Sequence, residues 1–310
     1  MRFIERLVES MDVTLRQLGV FVAIADNEGF GAAAAALGMS QSSVSHSLAS
    51  LERAVQGDLV LRAMPVRPTP LGEVLLSHAR ATLASARAFN AAAAAHKSAG
   101  VAGAIGLAVP PTAARGLLPG LLRLWHERLP HVEITLFEGL DEEIEQWLES
   151  GTVDAAVLID PDPLPRGALH LATDAYEAVV RSDHPLAGEE SIELADLLED
   201  PLLATTSGCE TQVKHLHALT GLTYRPTQRI RELTTLLCMV EAGLGVGIIP
   251  SLAASMLSET LTLVPLRPHL ERRLVLTGPT GRPWHPNVTA LRDLCEKHPD
   301  SLSSPAPSLR

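Results

Sequence analysis

Two apolar stripes separated by a three-residue break constrain this chain more than any other feature. Phe30, Ala33, Ala34 and Leu37 recur at i, i+3, i+4 and i+7, and Val44, Leu48 and Leu51 recur at i, i+4 and i+7. Each spacing predicts a helix with one face turned to a core. Gly38-Met39-Ser40 leaves room only for a tight turn, and Ser40 is a ready N-cap for the second helix. The outer face of that helix carries Ser42, His46 and Arg53, with Ser43 and Ser45 on its flanks and Gln41 near its start. It is short, polar and nearly uncharged, so first-turn amides and small hydroxyls can approach a phosphate or a base edge closely. The pair reads either as a helix-turn-helix, whose second helix lies in a major groove, or as a helical hairpin with a solvated serine-rich face.

The flanking residues extend the pattern. Leu18, Phe21, Val22 and Ala25 predict a preceding helix. Leu59 to Leu61 can pair as a strand with Val66 and Arg67 through a turn at Ala63-Met64-Pro65, a small wing. Arg62, Arg67 and Thr69 suit phosphate contacts; the alternative is a surface hairpin with two solvated arginines. Residues 70 to 97 lack Gly or Pro after Gly72 and include alanines at 91 to 95, which predicts one long helix. Its stripe of Leu71, Val74, Leu75, His78, Ala79, Leu83, Ala86 and Phe89 is longer than a small domain can cover, and predicts pairing with the same helix of a second subunit. Ser98-Ala99-Gly100 is the expected hinge.

From Gly103 short apolar strands alternate with amphipathic helices, the texture of a mostly parallel α/β sheet. Ile105 to Val109, Val132 to Leu136 and Val153 to Ile159 are predicted strands, and Thr112 is the expected cap of a helix carrying Leu117, Leu118, Leu121, Leu124 and Trp125. A second run of the same texture starts near Ala175, with apolar strands at Ala178 to Val180, Pro201 to Ala204 and Val246 to Ile249. Residues 299 to 310, rich in Ser and Pro, read as a disordered tail.

Composition narrows the function. The net charge of −11 argues against a nonspecific polyanion binder. Residues 1 to 100 hold nine Lys/Arg against eight Asp/Glu, however, whereas the remainder holds sixteen against twenty-eight, so only the first hundred residues suit a DNA face. Cys209, Cys238 and Cys295 are too few and too scattered for a disulfide framework or a zinc site, and fit a reducing cytoplasm. No apolar run reaches membrane-spanning length. Residues 1 to 10 lack a signal-peptide pattern, leaving either a genuine extension or a start at Met11. No GxSxG or similar nucleophile context appears, so no catalytic residue, metal or cofactor is expected.

The chain resembles the LysR-type transcriptional regulators from about Leu15 to His298. The resemblance rests on LRQLGVFVAIADNEGFGAAAAALGMSQSSVSHSLASLE at 15 to 52 and RPTPLGE at 67 to 73. It is supported by LLPGLLRLWHERLPHVEITLFEG at 117 to 139, GTVDAAVLID at 151 to 160, SDHPLAG at 182 to 188 and EAGLGVGIIPS at 241 to 251. It implies a winged helix-turn-helix at 1–69, a linker and dimerisation helix at 70–98, and an effector domain at 101–298 resembling type 2 periplasmic binding proteins. Chain order divides that domain into one lobe of 101–175 plus 268–298 and another of 176–267. The implied partners are double-stranded DNA, a small-molecule effector, further copies of the chain as a homodimer or homotetramer, and RNA polymerase. Gly31 replaces a usual capping Thr or Ser, Ser42 a frequent Pro and Val60 a frequent Phe, and the wing is short and weakly basic.

Ligands of open α/β sheets bind beyond the carboxyl ends of strands. Pro110-Pro111-Thr112 and Thr205-Thr206-Ser207-Gly208 are two such ends, each offering hydroxyls and free amides to a small anion; the resemblance adds Thr234. The plain alternative is that these are caps and turns. Cys209, at a predicted helix start where the dipole can lower its pKa, raises a redox-responsive alternative, against which no second cysteine lies close in sequence. His215 and His217 cannot share a ligand at helical spacing. A solute-binding protein or enzyme on the two-lobed fold requires no helix-turn-helix, and a helical adaptor leaves the two lobes unexplained.

Overall fold

A computed structural model describes residues 13–97, 101–206 and 208–299. Expectations for residues 1 to 10, the hinge at 98–100, Ser207 and the tail beyond 299 lie outside the described residues. The chain divides into two compact units: one holds the described residues up to 97 with 147–154 and 279–286, the other 101–146, 155–278 and 287 onward.

In the first unit, helix α1 (Leu15–Asp26) opens with a capping box: the Thr14 hydroxyl accepts from Gln17 N at 3.3 Å, and the Gln17 side chain accepts from Thr14 N at 2.7 Å. Helix α2 (Phe30–Leu37) stops at Gly38, whose φ of 62° lies in the left-handed region that a side chain would strain. Helix α3 (Gln41–Ala54) starts at Ser40, whose hydroxyl accepts from Ser43 N at 3.2 Å. Phe21, Ile24, Val44, Leu48 and Leu51 bury together, each such side chain contributing about 1.5–3 kcal/mol. Leu37 departs from its expected stripe: it is exposed, because α2 has only eight residues and the chain reverses directly after it. The uncapped start of α2 is Gly29, and Gly31 lies inside the first turn.

Strands β1 (Val60–Leu61) and β2 (Arg67–Pro68) pair antiparallel as the wing. Helix α4 (Pro70–Lys97) follows. At Gly72 a side chain is impossible, since a Cβ would lie 2.0 Å from the Leu59 carbonyl oxygen. Leu76 and Ala79 of α4 enter the core, so the buried stripe is offset from the expected one; Leu71, Val74 and Phe89 are exposed by 40, 59 and 75%.

In the second unit, β3 (Gly103–Val109) runs parallel to β4 (Val132–Glu138) and β5 (Ala155–Ile159). The helix expected from Thr112 onward is two: α5 (Pro111–Gly116) and α6 (Leu118–Arg128). Pro119 lacks an amide hydrogen and its ring would clash with the carbonyl four residues back, which breaks the helix. Pro110 is therefore the N-cap, and Thr112 sits inside the first turn of α5. Helix α7 (Asp141–Ser150) follows β4.

The sheet is mixed rather than mostly parallel. Strand β6 (Leu169–Arg181) is one thirteen-residue strand running through both halves. Its residues Leu169 to Ala175 pair antiparallel with β12 (Glu271–Thr277), and Tyr176 onward with β10 (Val246–Pro250) and β11 (Leu261–Arg267). Between them lie β7 (Ile192–Glu193), α8 (Leu194–Leu197), β8 (Leu202–Thr205), α9 (Glu210–Thr220), β9 (Gln228–Ile230) and α10 (Leu233–Glu241). Strands β8, β9 and β10 are parallel neighbours. A short 3-10 helix (Ser251–Met256) follows β10, and α11 (Pro286–Lys297) closes the described chain. Every residue of β10 is buried, which is why it reads as an unbroken apolar run.

A candidate nucleic-acid face and a candidate effector cavity

The outer face of α3 presents Gln41, Ser42, Ser43 and His46 to solvent, with Ser45 half-buried. The Ser40 hydroxyl lies 3.0 Å from that of Ser42 and 2.7 Å from that of Ser43, a tight polar cluster over the first turn. A shallow open groove beside it is lined by Thr14, Arg16, Gln17, Ser42, Ser43 and His46 among others. Gln17 Nε2 donates to Ser50 Oγ at 3.1 Å, so the capping side chain of α1 also braces α3. Sequence reading missed Arg16 and Gln17 because they precede the first apolar stripe; the Thr14 to Gln17 capping pattern was the available signal.

The other expected contacts divide. Arg67 is exposed on β2 and has no carboxylate partner among the described residues. Arg53 is exposed, its Nε donating to the Ala49 carbonyl at 3.2 Å. Arg62 pairs with Glu52 at 3.4 Å, and Glu52 also accepts from Leu59 N at 3.0 Å, tying the end of α3 to the wing. Thr69 corrects the expectation: it is buried, donating to the Asp58 carbonyl at 2.7 Å and accepting from Gly72 N at 2.9 Å. Its hydroxyl caps α4, leaving none of it for a phosphate.

In the second unit a cavity of about 250 Å³ is lined by Pro111, Thr112 and Arg115 of α5, Glu138 of β4, Asp141 and Glu143 of α7, Thr205, Cys209, Arg231, Glu232 and Thr234, with Arg272 of β12 beneath. Pro111, Thr112, Thr205 and Thr234 are thus brought together. Thr206 is not; it is exposed, and its amide continues the sheet by donating to the Ile230 carbonyl at 2.9 Å. Beside the hydroxyls expected from the sequence stands an arginine: Arg272 is 2% exposed and donates through Nη2 to Thr112 Oγ1 at 2.9 Å. Thr205 Oγ1 is buried without a hydrogen-bond partner among the described residues, though the Cys209 thiol lies close enough to feel it.

Electrostatics separate the titratable groups. Burial pushes the Asp141 carboxyl up to about 6, partly offset by the Arg272 guanidinium. Burial likewise pushes the Cys209 thiol up, with Arg272 and Thr205 acting in the other direction. That reverses the lowering expected from a helix start, because removing a thiolate from water outweighs the dipole. Among the described residues no group of three or more His, Cys, Asp or Glu could hold a metal ion, and no helix is long and apolar enough to cross a membrane.

A winged helix-turn-helix in one unit and a two-lobed α/β unit with a polar cavity define a DNA-binding transcriptional regulator with an effector-binding domain. Residues 15–73 match the bacterial regulatory helix-turn-helix protein, lysR family, and residues 98–300 the LysR substrate binding domain. The chain belongs to the LysR family of transcriptional regulators. It is 30% identical over 272 residues to the uncharacterized HTH-type transcriptional regulator YvbU of Bacillus subtilis (strain 168), covering 86% of this chain and 92% of that one. It is 34% identical over 245 residues to a "Probable hydrogen peroxide-inducible genes activator" of Mycobacterium avium, covering 77% and 78%. A full-length OxyR from Pseudomonas aeruginosa shares the fold, with a TM-score of 0.73 at 24% identity over 95% of this chain and 96% of that one.

Proposed function

We propose that this regulator reads a specific duplex through Gln41, Ser42, Ser43, Ser45 and His46 in the major groove, with Arg67 and Arg16 on flanking phosphates. It responds to a small molecule held in the cavity beneath Thr112, Thr205 and Thr234. The observation that carries the reading is the exposed polar face of α3, where Gln41 and His46 flank the serine cluster and Arg16 lines the groove alongside. The protein acts in the cytoplasm by binding, without catalysis, as a dimer or tetramer built on α4, and its output passes to RNA polymerase. Recovery of genomic fragments bound by the purified protein tests this: a shared operator motif is expected, and uniform binding to all fragments would refute sequence reading.

The relative named a probable hydrogen peroxide-inducible genes activator motivates a second reading, in which Cys209 senses oxidant. Its burial and raised pKa oppose that reading, since the thiolate is the reactive species. Operator binding unaffected by peroxide in the purified protein is the expected result; loss of binding cured by Cys209→Ser would favour redox control.

A further inference from the structure

Resting on the effector reading, we propose that the cavity ligand is amphoteric: an amino-acid-like molecule whose ammonium meets Asp141 and Glu138 while its carboxylate meets Thr205 and Arg115. The charges lining the cavity do not suit a simple anion. The charge of Arg272 is already balanced, since one edge of its guanidinium, Nε and Nη2, donates to Asp174 at 2.5 and 3.0 Å, and Nη2 also reaches Thr112. Arg231 lies 3.8 Å from Glu232. With those pairs set aside, one guanidinium, Arg115, faces three carboxylates, Glu138, Asp141 and Glu143.

Glu143 is partly committed, accepting from Leu140 N at 2.9 Å. Half-buried Asp141 and exposed Glu138, by contrast, receive no side-chain hydrogen bond from any described residue, and both are open to an ammonium donor. The anionic end is called for independently. Thr205 Oγ1 is buried at the cavity wall with only the Cys209 thiol beside it, a weak partner, and Arg115 has no carboxylate within ion-pair distance among the described residues. A buried hydroxyl so weakly bonded costs free energy that a carboxylate oxygen would recover. A ligand carrying both charges satisfies the two sets at once, and neither charge alone does.

Recognition of the ammonium needs Asp141 ionised. Burial raises the Asp141 pKa most; among the charged groups acting on it Arg272 lowers it, and Glu145, Asp160 and Glu142 raise it, so affinity falls as pH drops through the region of 6.

The test is calorimetry on the full chain with the twenty standard α-amino acids, their 2-oxo acids and their decarboxylated amines. One or a few amino acids should bind at least tenfold tighter than their own oxo acid and amine. Asp141→Asn and Glu138→Gln should weaken the amino acid at least tenfold and leave the oxo acid unchanged, whereas Thr205→Val and Arg115→Gln should weaken both. Apo variants that melt no lower than the parent would exclude misfolding, and each acidic residue serves as a check on the other. An oxo acid binding as tightly, still dependent on Thr205 and Arg115, would overturn the amphoteric ligand and leave the cavity as the effector site. Binding indifferent to all four substitutions would overturn both readings, and silence across the panel would overturn the amino-acid-like ligand.

Discussion

Arg272 and Asp174 face each other across paired strands, 98 residues apart in the chain, with Nε to Oδ1 at 2.5 Å and Nη2 to Oδ2 at 3.0 Å and both side chains buried. The pair lies beside the passage of β6 from one half of the sheet to the other. Asp174 Oδ2 also accepts from Leu252 N at 3.0 Å, and Arg272 reaches Thr112. Two strands, α5 and the 3-10 helix are thereby fixed beneath the cavity.

Breaking this pair from one side strands a buried charge. Arg272→Met should destabilise the chain by about 3–5 kcal/mol. Arg272→Met combined with Asp174→Leu should recover most of that loss in urea unfolding. A single variant no less stable than the parent would show that the pair carries no structural weight.

Asp141 provides a pH signature. Its folded pKa of about 6 exceeds the ordinary 3.8, so folding disfavours the charged form. The penalty is absent below about 4, grows between about 4 and 6 and is complete above 6, which means stability is lost as pH rises through that window. Asp141→Asn should therefore stabilise the ligand-free protein by about 1–3 kcal/mol at pH 7 and by nothing at pH 3.5. Equal effects at both values would point away from ionisation.

On DNA, Gln41→Ala or His46→Ala should cost about 1–3 kcal/mol on the cognate site and alter base preference. Arg67→Ala and Arg16→Ala should instead weaken cognate and random duplexes alike, each reducing the salt slope by about one unit. Thr69→Val should leave that slope intact and lower stability, as fits a helix cap. Titrations at three salt concentrations separate these outcomes.

For assembly, Val74→Glu and Phe89→Glu are the informative substitutions, because both residues are exposed, while Leu75 and Leu83 are half-buried within their own unit. Sedimentation should show dissociation without loss of thermal stability. An unchanged oligomer would place the self-contact elsewhere than this face of α4.

Cysteine labelling under native conditions should modify exposed Cys238 well before buried Cys209 and Cys295. Rapid modification of Cys209 would revive the oxidant-sensing reading.

The sequence by itself determined what depends on near neighbours. The stripes of α1 to α3, the Ser40 cap, the Gly38 stop and the apolar run of β10 are written in periods of three to four residues, or in unbroken apolar segments, because the chain must bury one face of each element wherever its partner comes from. The exposed polar face of α3 followed from the same wheel. Tertiary structure alone decided what depends on residues far apart. His170, Thr173, Asp174 and Glu177 break up the apolar pattern of β6, and only pairing with β10, β11 and β12 makes it a single strand. Arg272 reads as an ordinary polar strand residue until register sets it against Asp174. Thr69 resembled a phosphate ligand until burial committed its hydroxyl to α4, and the raised pKa of Asp141 arises only because folding removes part of its water. A local pattern records the side on which a residue is buried; the dielectric and the partners it meets there are set by the rest of the fold.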